Sequence, residues 1–204
     1  MSVIKLPDDV SRETMDRLEV YSKLLEKWNP RINLVSRQTI PDLWARHFVD
    51  SAQIYSLAPQ GFGKWVDLGS GGGFPGLVCA IIAAERDPSS VFTMVESDAR
   101  KSVFLRTVIR ETRLNAKVIS DRIEKIPPLG AQVLSARALA DLDTLLHFAE
   151  RHLQESGTAL FPKGVSWEKE VEIASRSWLF DWEATKSETE SGAVVLRIGG
   201  ISRV

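Results

Sequence analysis

Apolar positions change their spacing near residue 60 of the chain, and the spacing before that point is helical. Apolar residues there recur every three or four positions, which is the period of a helix with one buried face. The first such series consists of Leu18, Tyr21, Leu25 and Trp28. Ser11 precedes the series as a candidate N-cap, and Pro30 lies close to the predicted end of the helix.

A second helical series follows in the same part of the chain. Its members are Ile40, Leu43, Trp44, His47, Ser51 and Ile54. Thr39 precedes this series, and the turn residues Pro59-Gln60-Gly61 end it. Residues 1–60 are therefore predicted to form a helical cap, and residues 61–204 the remainder of one compact protein.

After Gly63 the pattern becomes short apolar runs separated by segments of helical length. The runs predicted as strands are 65–68, 91–95, 117–120, 132–135 and 158–161. Alternating strands and helices imply parallel strands joined by right-handed crossovers, so the sequence predicts a doubly wound α/β sheet. The last two runs, 179–184 and 193–198, flank the polar pair Ser191-Gly192 and predict an antiparallel hairpin at the sheet edge.

Composition narrows the class of protein. The chain has 204 residues, and its 26 Lys and Arg nearly balance 27 Asp and Glu, which excludes the strongly basic composition of a protein that coats nucleic acid. The overall charge does not exclude a local basic face on the protein surface. The single cysteine, Cys79, excludes an internal disulfide framework and favours a reducing compartment, so we expect a cytoplasmic protein. The longest apolar run, Leu77 to Ala84, is too short for a membrane span, and we expect no signal peptide.

A glycine-rich turn follows the first predicted strand and leads into a helix whose first turn is expected to hold Pro75. Its glycines Gly71, Gly73 and Gly76 match the dinucleotide fingerprint G-x-G-x-x-G. Asp67 ends the strand just before the turn, where a carboxylate repels a pyrophosphate but attracts the ammonium and sulfonium groups of S-adenosylmethionine. No Lys-Ser/Thr pair follows the glycines, which excludes a P-loop. The turn therefore predicts a sulfonium-cofactor site.

Two further segments fit a nucleoside ligand. Glu96 closes the second strand about 20 residues after Gly76, where an acid hydrogen-bonds ribose hydroxyls in nucleoside-binding folds. Residues 120–124 follow the third strand and are candidates for an adenine contact. Each acid alone has a plainer explanation, because Asp67 or Glu96 could cap a helix or be solvated and Asp121 could be a helix cap. The order of Asp67, the glycines and Glu96 favours the cofactor.

At this point the chain resembles the class I S-adenosylmethionine-dependent methyltransferases. Within them it is similar to the bacterial 16S rRNA guanine-N7 methyltransferase G family, also called glucose-inhibited division protein B, over nearly its whole length. The resemblance rests on the segments Asn33-Leu34-Val35-Ser36, Arg46-His47-Phe48-Val49-Asp50-Ser51, 67–76, Ser135-Ala136-Arg137-Ala138 and Lys163-Gly164. Ala136 stands where some members carry serine.

The resemblance implies a Rossmann-like, mostly parallel seven-stranded sheet with an N-terminal helical cap and a C-terminal antiparallel hairpin. It implies methyl transfer from S-adenosylmethionine to N7 of a guanine in 16S rRNA, at position 527 in the family, on the 30S subunit or its precursor. The resemblance implies cofactor contacts at Gly69, Phe74, Glu96, Ile123, Glu124 and Arg137. The strand end and the glycine turn add Asp67, Ser70, Gly71 and Gly73 to the predicted cofactor-binding residues. The candidates for positioning the substrate are His47, Asp50, Arg137 and Lys163.

The residue types limit the methylation chemistry. Methylation of cytosine C5 is expected to need a cysteine nucleophile, and Cys79 lies in an apolar helix where a core role is expected. Exocyclic amine methylation usually comes with an Asn/Asp-Pro-Pro-aromatic motif, and residues 135–138 lack it. Guanine N7 carries a free lone pair, so its methylation requires no general base. We expect His47 to be a packed, hydrogen-bonded residue rather than a proton carrier.

Contacts with RNA are predicted from local basic residues. The candidates for phosphate contact are Arg31, Arg37 and Arg46, in and around the cap. A second set, Arg106, Arg110 and Arg113, is more simply explained as the solvated face of a helix. The histidines and Cys79 have no compact metal-ligand spacing, so no metal is expected.

Two other functions stay open from the residues alone. A nicotinamide-dependent oxidoreductase could use the same sheet and would bind NAD(H). A non-catalytic RNA-binding or ribosome-binding protein could retain a vestigial pocket.

Overall fold

The computed structural model describes residues 10–204, which form a seven-stranded sheet flanked by helices. The strands are β1 Lys64–Leu68, β2 Val91–Val95, β3 Ala116–Ile119, β4 Ala131–Ser135, β5 Leu153–Lys163, β6 Trp178–Lys186 and β7 Val194–Arg203. The α-helices in this part of the chain are α1 Arg12–Ile32, α2 Asp50–Ser56, α3 Gly76–Arg86, α4 Ala99–Thr112, α5 Leu142–His152 and α6 Trp167–Ala174. No helix within residues 10–204 is long and apolar enough to cross a membrane.

The sheet confirms the doubly wound α/β prediction. Its strand order is β3-β2-β1-β4-β5-β7-β6, and the first five strands along the chain pair in parallel. β7 is antiparallel to both β5 and β6, so the predicted hairpin exists with β6 at the edge and β7 inserted beside β5. Because the order reverses between β1 and β4, the carboxyl ends of these strands border a crevice in which such sheets bind ligands.

β5 begins earlier than the predicted run 158–161. Its first part, from Leu153, carries the exposed residues Gln154, Glu155 and Ser156, and its register against β4 shifts between Ala131 and Val133. The prediction missed this part because exposed polar residues leave no apolar pattern in the sequence.

The predicted first helix is confirmed. Ser11 caps α1, because its hydroxyl oxygen accepts a hydrogen bond from the Thr14 amide at 3.2 Å. Pro30 lies within the last turn, and the helix ends at Ile32 with Asn33 in the left-handed conformation. The buried face of α1 packs against α3 and α4 on one side of the sheet.

The second helical series is not one helix, which corrects the prediction for the segment after Thr39. The chain forms a 3-10 turn at Arg37–Thr39, a π-helical segment at Trp44–Val49 and then α2. The wide π turn accompanies complete burial of Phe48, whose ring stacks on Trp44 with centroids 4.6 Å apart. A π turn and an α turn have similar apolar spacing over so few residues, so the sequence pattern does not distinguish them.

Candidate cofactor and substrate cleft

The glycine turn connects β1 to α3 in a tightly packed loop. Gly69 and Gly73 have φ angles of +63° and +97°, a region that favours glycine. A Cβ atom at Gly69 would lie 2.6 Å from Leu139 Cδ1. The Tyr21 hydroxyl of α1 donates a hydrogen bond to the Gly72 carbonyl at 2.5 Å. The cap therefore holds the loop directly, which the sequence did not indicate.

Pro75 directly precedes α3 and is its cap residue rather than part of its first turn. This shifts the predicted helix start by one position and leaves the connection between strand and helix as predicted. The ring of Phe74 is 5% exposed and stacks on Tyr21, with centroids 5.2 Å apart. The loop thus ends in an aromatic contact with the cap.

Asp67 lies beneath the glycine loop rather than on the wall of the cleft. It is 1% exposed, and its Oδ1 accepts a hydrogen bond from the Ser135 hydroxyl at 2.6 Å. Its Oδ2 is buried with no hydrogen-bond partner among residues 10–204. Burial raises the pKa of Asp67 to about 6, with the hydrogen bonds from Ser135 and Ser70 opposing that rise. An ionised Asp67 therefore places a negative charge beneath the glycine loop.

Glu96 sits at the end of β2 and holds the rim of the loop. Its Oε2 accepts from the Gly71 amide and its Oε1 from the Asp98 amide, both at 2.8 Å. Each carboxylate oxygen has a second lone pair, so further hydrogen bonds from a ligand remain available. Glu96 is not a helix cap. The N-cap of α4 is Asp98, whose Oδ1 accepts hydrogen bonds from the Arg100 and Lys101 amides.

Glu96 lines one half of the cleft, which has a volume of about 450 Å³. We call this half the nucleoside half. Other residues that line it are Gly71, Asp121, Ile123, Glu124 and Leu139. Asp121 caps no helix, since its Oδ1 accepts from the adjacent Arg122 amide at 2.7 Å and no helix begins there. The structure therefore brings together the residues predicted for ribose and adenine.

The other half of the cleft has a volume of about 620 Å³ and lies between the cap and the β6–β7 loop, residues 187–193. We call it the acceptor half. Predicted site residues that line it are His47, Asp50, Gly69, Ser70, Gly71, Phe74, Arg137 and Lys163. Gly69 and Gly71 line both halves, so the glycine loop joins them into one continuous cleft.

Arg137 is the centre of a polar cluster in the acceptor half. Its Nη1 donates to Asp50 Oδ2 at 3.0 Å, and its Nη2 lies 2.8 Å from His47 Nδ1. The guanidinium also stands over the Phe74 ring, 5.1 Å from the centroid. The side chains of Arg137 and Asp50 are each 17% exposed, so the ion pair is shielded but still open to the cleft.

His47 is neutral in this cluster. Burial and the adjacent Arg137 cation lower the pKa of His47 to about 4, and the Asp50 carboxylate only partly opposes this. Its Nε2 lies 2.8 Å from the Thr39 hydroxyl, and its ring stacks on Phe74 with centroids 5.0 Å apart. The geometry is that of the packed, hydrogen-bonded histidine expected from the sequence.

Lys163 is engaged by the protein itself. Its Nζ donates to Glu170 Oε2 at 2.7 Å and to the Ala140 carbonyl at 3.0 Å, and its side chain is 7% exposed. The same Glu170 oxygen accepts from the Leu142 amide at the start of α5. Lys163 thus ties β5 and α6 to the segment that follows β4.

The arginines predicted for phosphate contact are exposed at the cap. Arg46 lines the acceptor half and lies 3.9 Å from Glu190, whereas Arg31 and Arg37 form no ion pair with any residue from 10 to 204. Arg110 of the second basic set pairs with Glu111. No group of three His, Cys, Asp or Glu side chains suited to a metal ion occurs in the part of the chain that the structure describes. Cys79 is buried, as expected.

Three residues of the cleft region were missed by sequence reasoning. Lys101, in the first turn of α4, lines both halves. Gln53 and Thr189 both hydrogen-bond Asp50. Gln53 follows the Arg46–Ser51 motif by two positions, but Thr189 stands in a polar hairpin segment with no local signal.

Comparison with known proteins matches nearly the full length of the chain to one family. A family model described as rRNA small subunit methyltransferase G matches residues 14–194. A ribosomal RNA small subunit methyltransferase G from Ruegeria pomeroyi is 57% identical over 96% of this chain and 96% of its own length. The protein of the same name from Cereibacter sphaeroides is 47% identical over 96% of this chain and 95% of its own.

Solved structures of low sequence identity share the fold. A ribosomal protein L11 methylase from Lactobacillus delbrueckii superposes with a TM-score of 0.59 at 15% identity, covering 78% of each chain. A TehB-like SAM-dependent methyltransferase from Corynebacterium glutamicum gives 0.56 at 13% identity, covering 92% of this chain and all of the other. These two show a methyltransferase fold, and with the family match and relatives they lead to one conclusion: the chain belongs to the rRNA small subunit methyltransferase G family.

Proposed function

We propose that this protein transfers a methyl group from S-adenosylmethionine to N7 of a guanine in 16S rRNA, at the position called 527 in the family. Methylation of small-subunit ribosomal RNA and the methyl donor follow from family membership. The observation that carries the choice of atom is the cluster at Arg137, where the nearest imidazole, His47, is held neutral with both nitrogens engaged. N7 is an acceptor that needs no proton removed.

The nucleoside half fits the methyl donor. Glu96 faces it with lone pairs free for ribose hydroxyls, and Ile123 and Glu124 border the expected adenine position. The buried Asp67 oxygen without a partner supplies negative charge beneath the loop at Gly69 and Ser70. When bound, S-adenosylmethionine supplies a methyl group on a positively charged sulfur. These residues are therefore proposed to bind and orient the donor at the junction of the two halves.

The acceptor half fits a purine whose N7 attacks in line. The N7 lone pair forms the new C–N bond while the C–S bond breaks with its electrons going to sulfur, so the base ends with a positive charge. Phe74, packed between Tyr21 and His47, forms an apolar wall close to the junction. The Asp50 carboxylate, paired with Arg137, lines the same half of the cleft. Arg137, held between Asp50 and His47, is proposed to orient S-adenosylmethionine or the guanine. Lys163 is proposed to position the chain segment at Ala140, whose carbonyl it binds.

The cap is proposed to bind the RNA around the target. We assign phosphate contacts to Arg31, Arg37 and Arg46, which are exposed. The predicted cap unit 1–60, of which residues 1–9 lie outside the described part of the chain, would then bind RNA beside the catalytic unit 61–204. The substrate is proposed to be the 30S subunit or its precursor, which together with the single cysteine supports a cytoplasmic location.

The test is methyl transfer to 30S subunits from a bacterial strain that lacks its own member of this family. Protein and radiolabelled S-adenosylmethionine are incubated with these subunits, and the RNA is then cleaved chemically at 7-methylguanine. We expect label in 16S rRNA and one new cleavage site. Subunits from the parent strain serve as the control, because their target is already methylated. Absence of label, or label at another atom of the RNA, would overturn the proposal.

A further inference from the structure

We propose that Thr189 and Gln53 are positioning residues for the methyl transfer, because together they fix the Asp50 carboxylate that orients Arg137. This inference rests on the proposed function for its activity readout. Neither residue belongs to the motifs that carry the family resemblance, and Thr189 lies 139 positions from Asp50 in the chain. The contact joins the β6–β7 loop to the cap, and other residues of both segments line the acceptor half.

The two oxygens of Asp50 have separate partners. Oδ1 accepts from the Thr189 hydroxyl at 2.8 Å and from the Gln53 amide nitrogen at 2.9 Å. Oδ2 accepts from Arg137 Nη1 at 3.0 Å. With Oδ1 held by two donors, rotation of the carboxylate is restricted and Oδ2 stays directed at the guanidinium.

The β6–β7 loop is itself shaped to present Thr189. The Ser187 hydroxyl oxygen accepts from the amides of Thr189 and Glu190, both at 3.2 Å. The Glu188 amide donates to Gln53 Oε1 at 3.0 Å, so Gln53 binds both the loop and Asp50. Gln53 thus makes the loop and the carboxylate parts of one hydrogen-bonded unit.

The effect of this unit is to determine where Arg137 points. The guanidinium has one nitrogen on Asp50 and the other on His47, and it stands over Phe74. A planar guanidinium fixed at both ends keeps its remaining N–H groups in one direction, which reduces the entropy lost when a ligand binds them. Removing the Thr189 hydroxyl leaves Asp50 Oδ1 with Gln53 as its one donor, so Asp50 should hold Arg137 Nη1 less firmly. The Arg46 carbonyl, 3.3 Å from the same nitrogen, keeps the guanidinium in the site.

A double-mutant cycle tests this chain of contacts. Thr189→Val, which removes the hydroxyl at nearly constant volume, is combined with Arg137→Met, which removes the guanidinium and keeps much of the packing on Phe74. Two quantities are measured for each protein: kcat/KM for methyl transfer to 30S subunits, and the Kd for S-adenosylhomocysteine by calorimetry. We expect Thr189→Val alone to lower kcat/KM about tenfold and to weaken product binding several-fold. In the Arg137→Met background it should change neither.

Three controls separate positioning from a structural role. Thr189→Ser keeps the hydroxyl and should restore most of the activity, whereas Thr185→Val makes the same change at an exposed position of β6 and should behave like the unmodified protein. Gln53→Leu should couple to Arg137→Met as Thr189→Val does. Arg137→Lys, whose single ammonium cannot contact both Asp50 and His47, replaces the Met variant if the latter does not fold.

The outcomes are distinct. An equal loss from Thr189→Val with and without Arg137, or no rescue by serine, overturns the positioning role. If the unmodified protein methylates no guanine in the 30S subunit, the proposed function fails, and the cycle is then decided on Kd alone. Coupling in Kd would support the positioning role in that case, and additivity would overturn it.

Discussion

Arg137 Nη2 lies 2.8 Å from His47 Nδ1, and this contact fixes the tautomer of the histidine. Arginine can only donate, so Nδ1 accepts and the proton of the neutral ring is on Nε2, directed at the Thr39 hydroxyl. The Thr39 hydroxyl in turn donates to the Ser36 carbonyl at 2.8 Å. The histidine therefore connects the guanidinium to the 3-10 turn of the cap, and neither of its nitrogens is free to take a proton from a substrate.

His47 should make the protein less stable in mild acid. Its pKa is about 4 in the folded protein and near its ordinary value of 6.5 when unfolded, so between these pH values the unfolded chain binds more protons. Stability therefore falls as pH decreases from about 6.5 towards 4. In His47→Gln, whose amide can still accept from Arg137 and donate to Thr39, this part of the dependence should be absent.

The measurement is urea unfolding of both proteins at pH values from 4 to 8. The difference in unfolding free energy between them should be constant above pH 7 and should change in favour of His47→Gln as the pH falls. The comparison is needed because His152, whose pKa burial also lowers, contributes in the same direction to both proteins. A difference that is independent of pH would contradict a neutral His47.

Asp67 should reduce stability while it supports donor binding. Its folded pKa of about 6 exceeds the ordinary 3.8, so the folded state binds more protons between these values and stability falls as pH rises through them. Asp67→Asn should raise the unfolding free energy at pH 8 by up to about 3 kcal/mol, with a much smaller gain near pH 4. Chemical denaturation at the two pH values checks this.

The same variant should lose affinity for the cationic donor. Asp67→Asn is expected to weaken binding of S-adenosylmethionine at pH 8 more than binding of S-adenosylhomocysteine, because only the former carries the sulfonium charge. Calorimetry with both ligands makes the comparison within one protein. Equal losses for both would show that Asp67 acts on the shape of the loop rather than through its charge.

Glu96 should be required for nucleoside binding. In Glu96→Gln a single carbonyl oxygen replaces the two carboxylate oxygens that accept from the Gly71 and Asp98 amides, so one partly buried amide loses its partner and the ribose contact weakens. We expect S-adenosylhomocysteine to bind at least about tenfold more weakly. Glu111→Gln, an exposed change on α4, is the matched control. NADH is titrated in parallel with the unmodified protein. If NADH binds as tightly as S-adenosylhomocysteine, the oxidoreductase alternative is open again.

The sequence pattern predicted α1 because that helix buries one face at helical spacing, and it predicted the central strands because they are buried on both faces and read as short apolar runs. The seven strands occur where short apolar runs indicated them, within a few residues, except that β5 begins at Leu153 rather than 158 and β7 ends at Arg203 rather than 198. The π-helical segment and the exposed start of β5 escaped prediction because neither has a distinct apolar spacing. Such features are determined by partners elsewhere in the fold.

The candidate site divides in the same way. The glycine turn and Glu96 were predictable because a parallel sheet brings the ends of β1 and β2 together in a fixed order. The burial of Asp67 beneath the loop was not predictable, because its place at the end of β1 does not determine whether its carboxylate lines the cleft or lies under the glycines. The contact of Thr189 with Asp50 depends on how the hairpin packs against the cap, for which no local pattern exists.

Arg31, Arg37 and Arg46 should account for part of the salt dependence of RNA binding. Each phosphate contact releases condensed counterions, so replacing a contacting arginine by glutamine should lower the slope of log Kd against log salt by about 0.8. Binding to 30S subunits is measured by filter retention at salt concentrations from roughly 50 to 300 mM, where the dependence of Kd on salt is steep. The Kd for S-adenosylhomocysteine should stay unchanged in the Arg31 and Arg37 variants, because these exposed side chains line neither half of the cleft. Arg110→Gln, on the basic face of α4 where Glu111 already pairs the guanidinium, is the control and should leave the slope as it is. If Arg110→Gln lowers the slope and the cap variants do not, the RNA lies along α4 and the assignment of the cap surface is wrong.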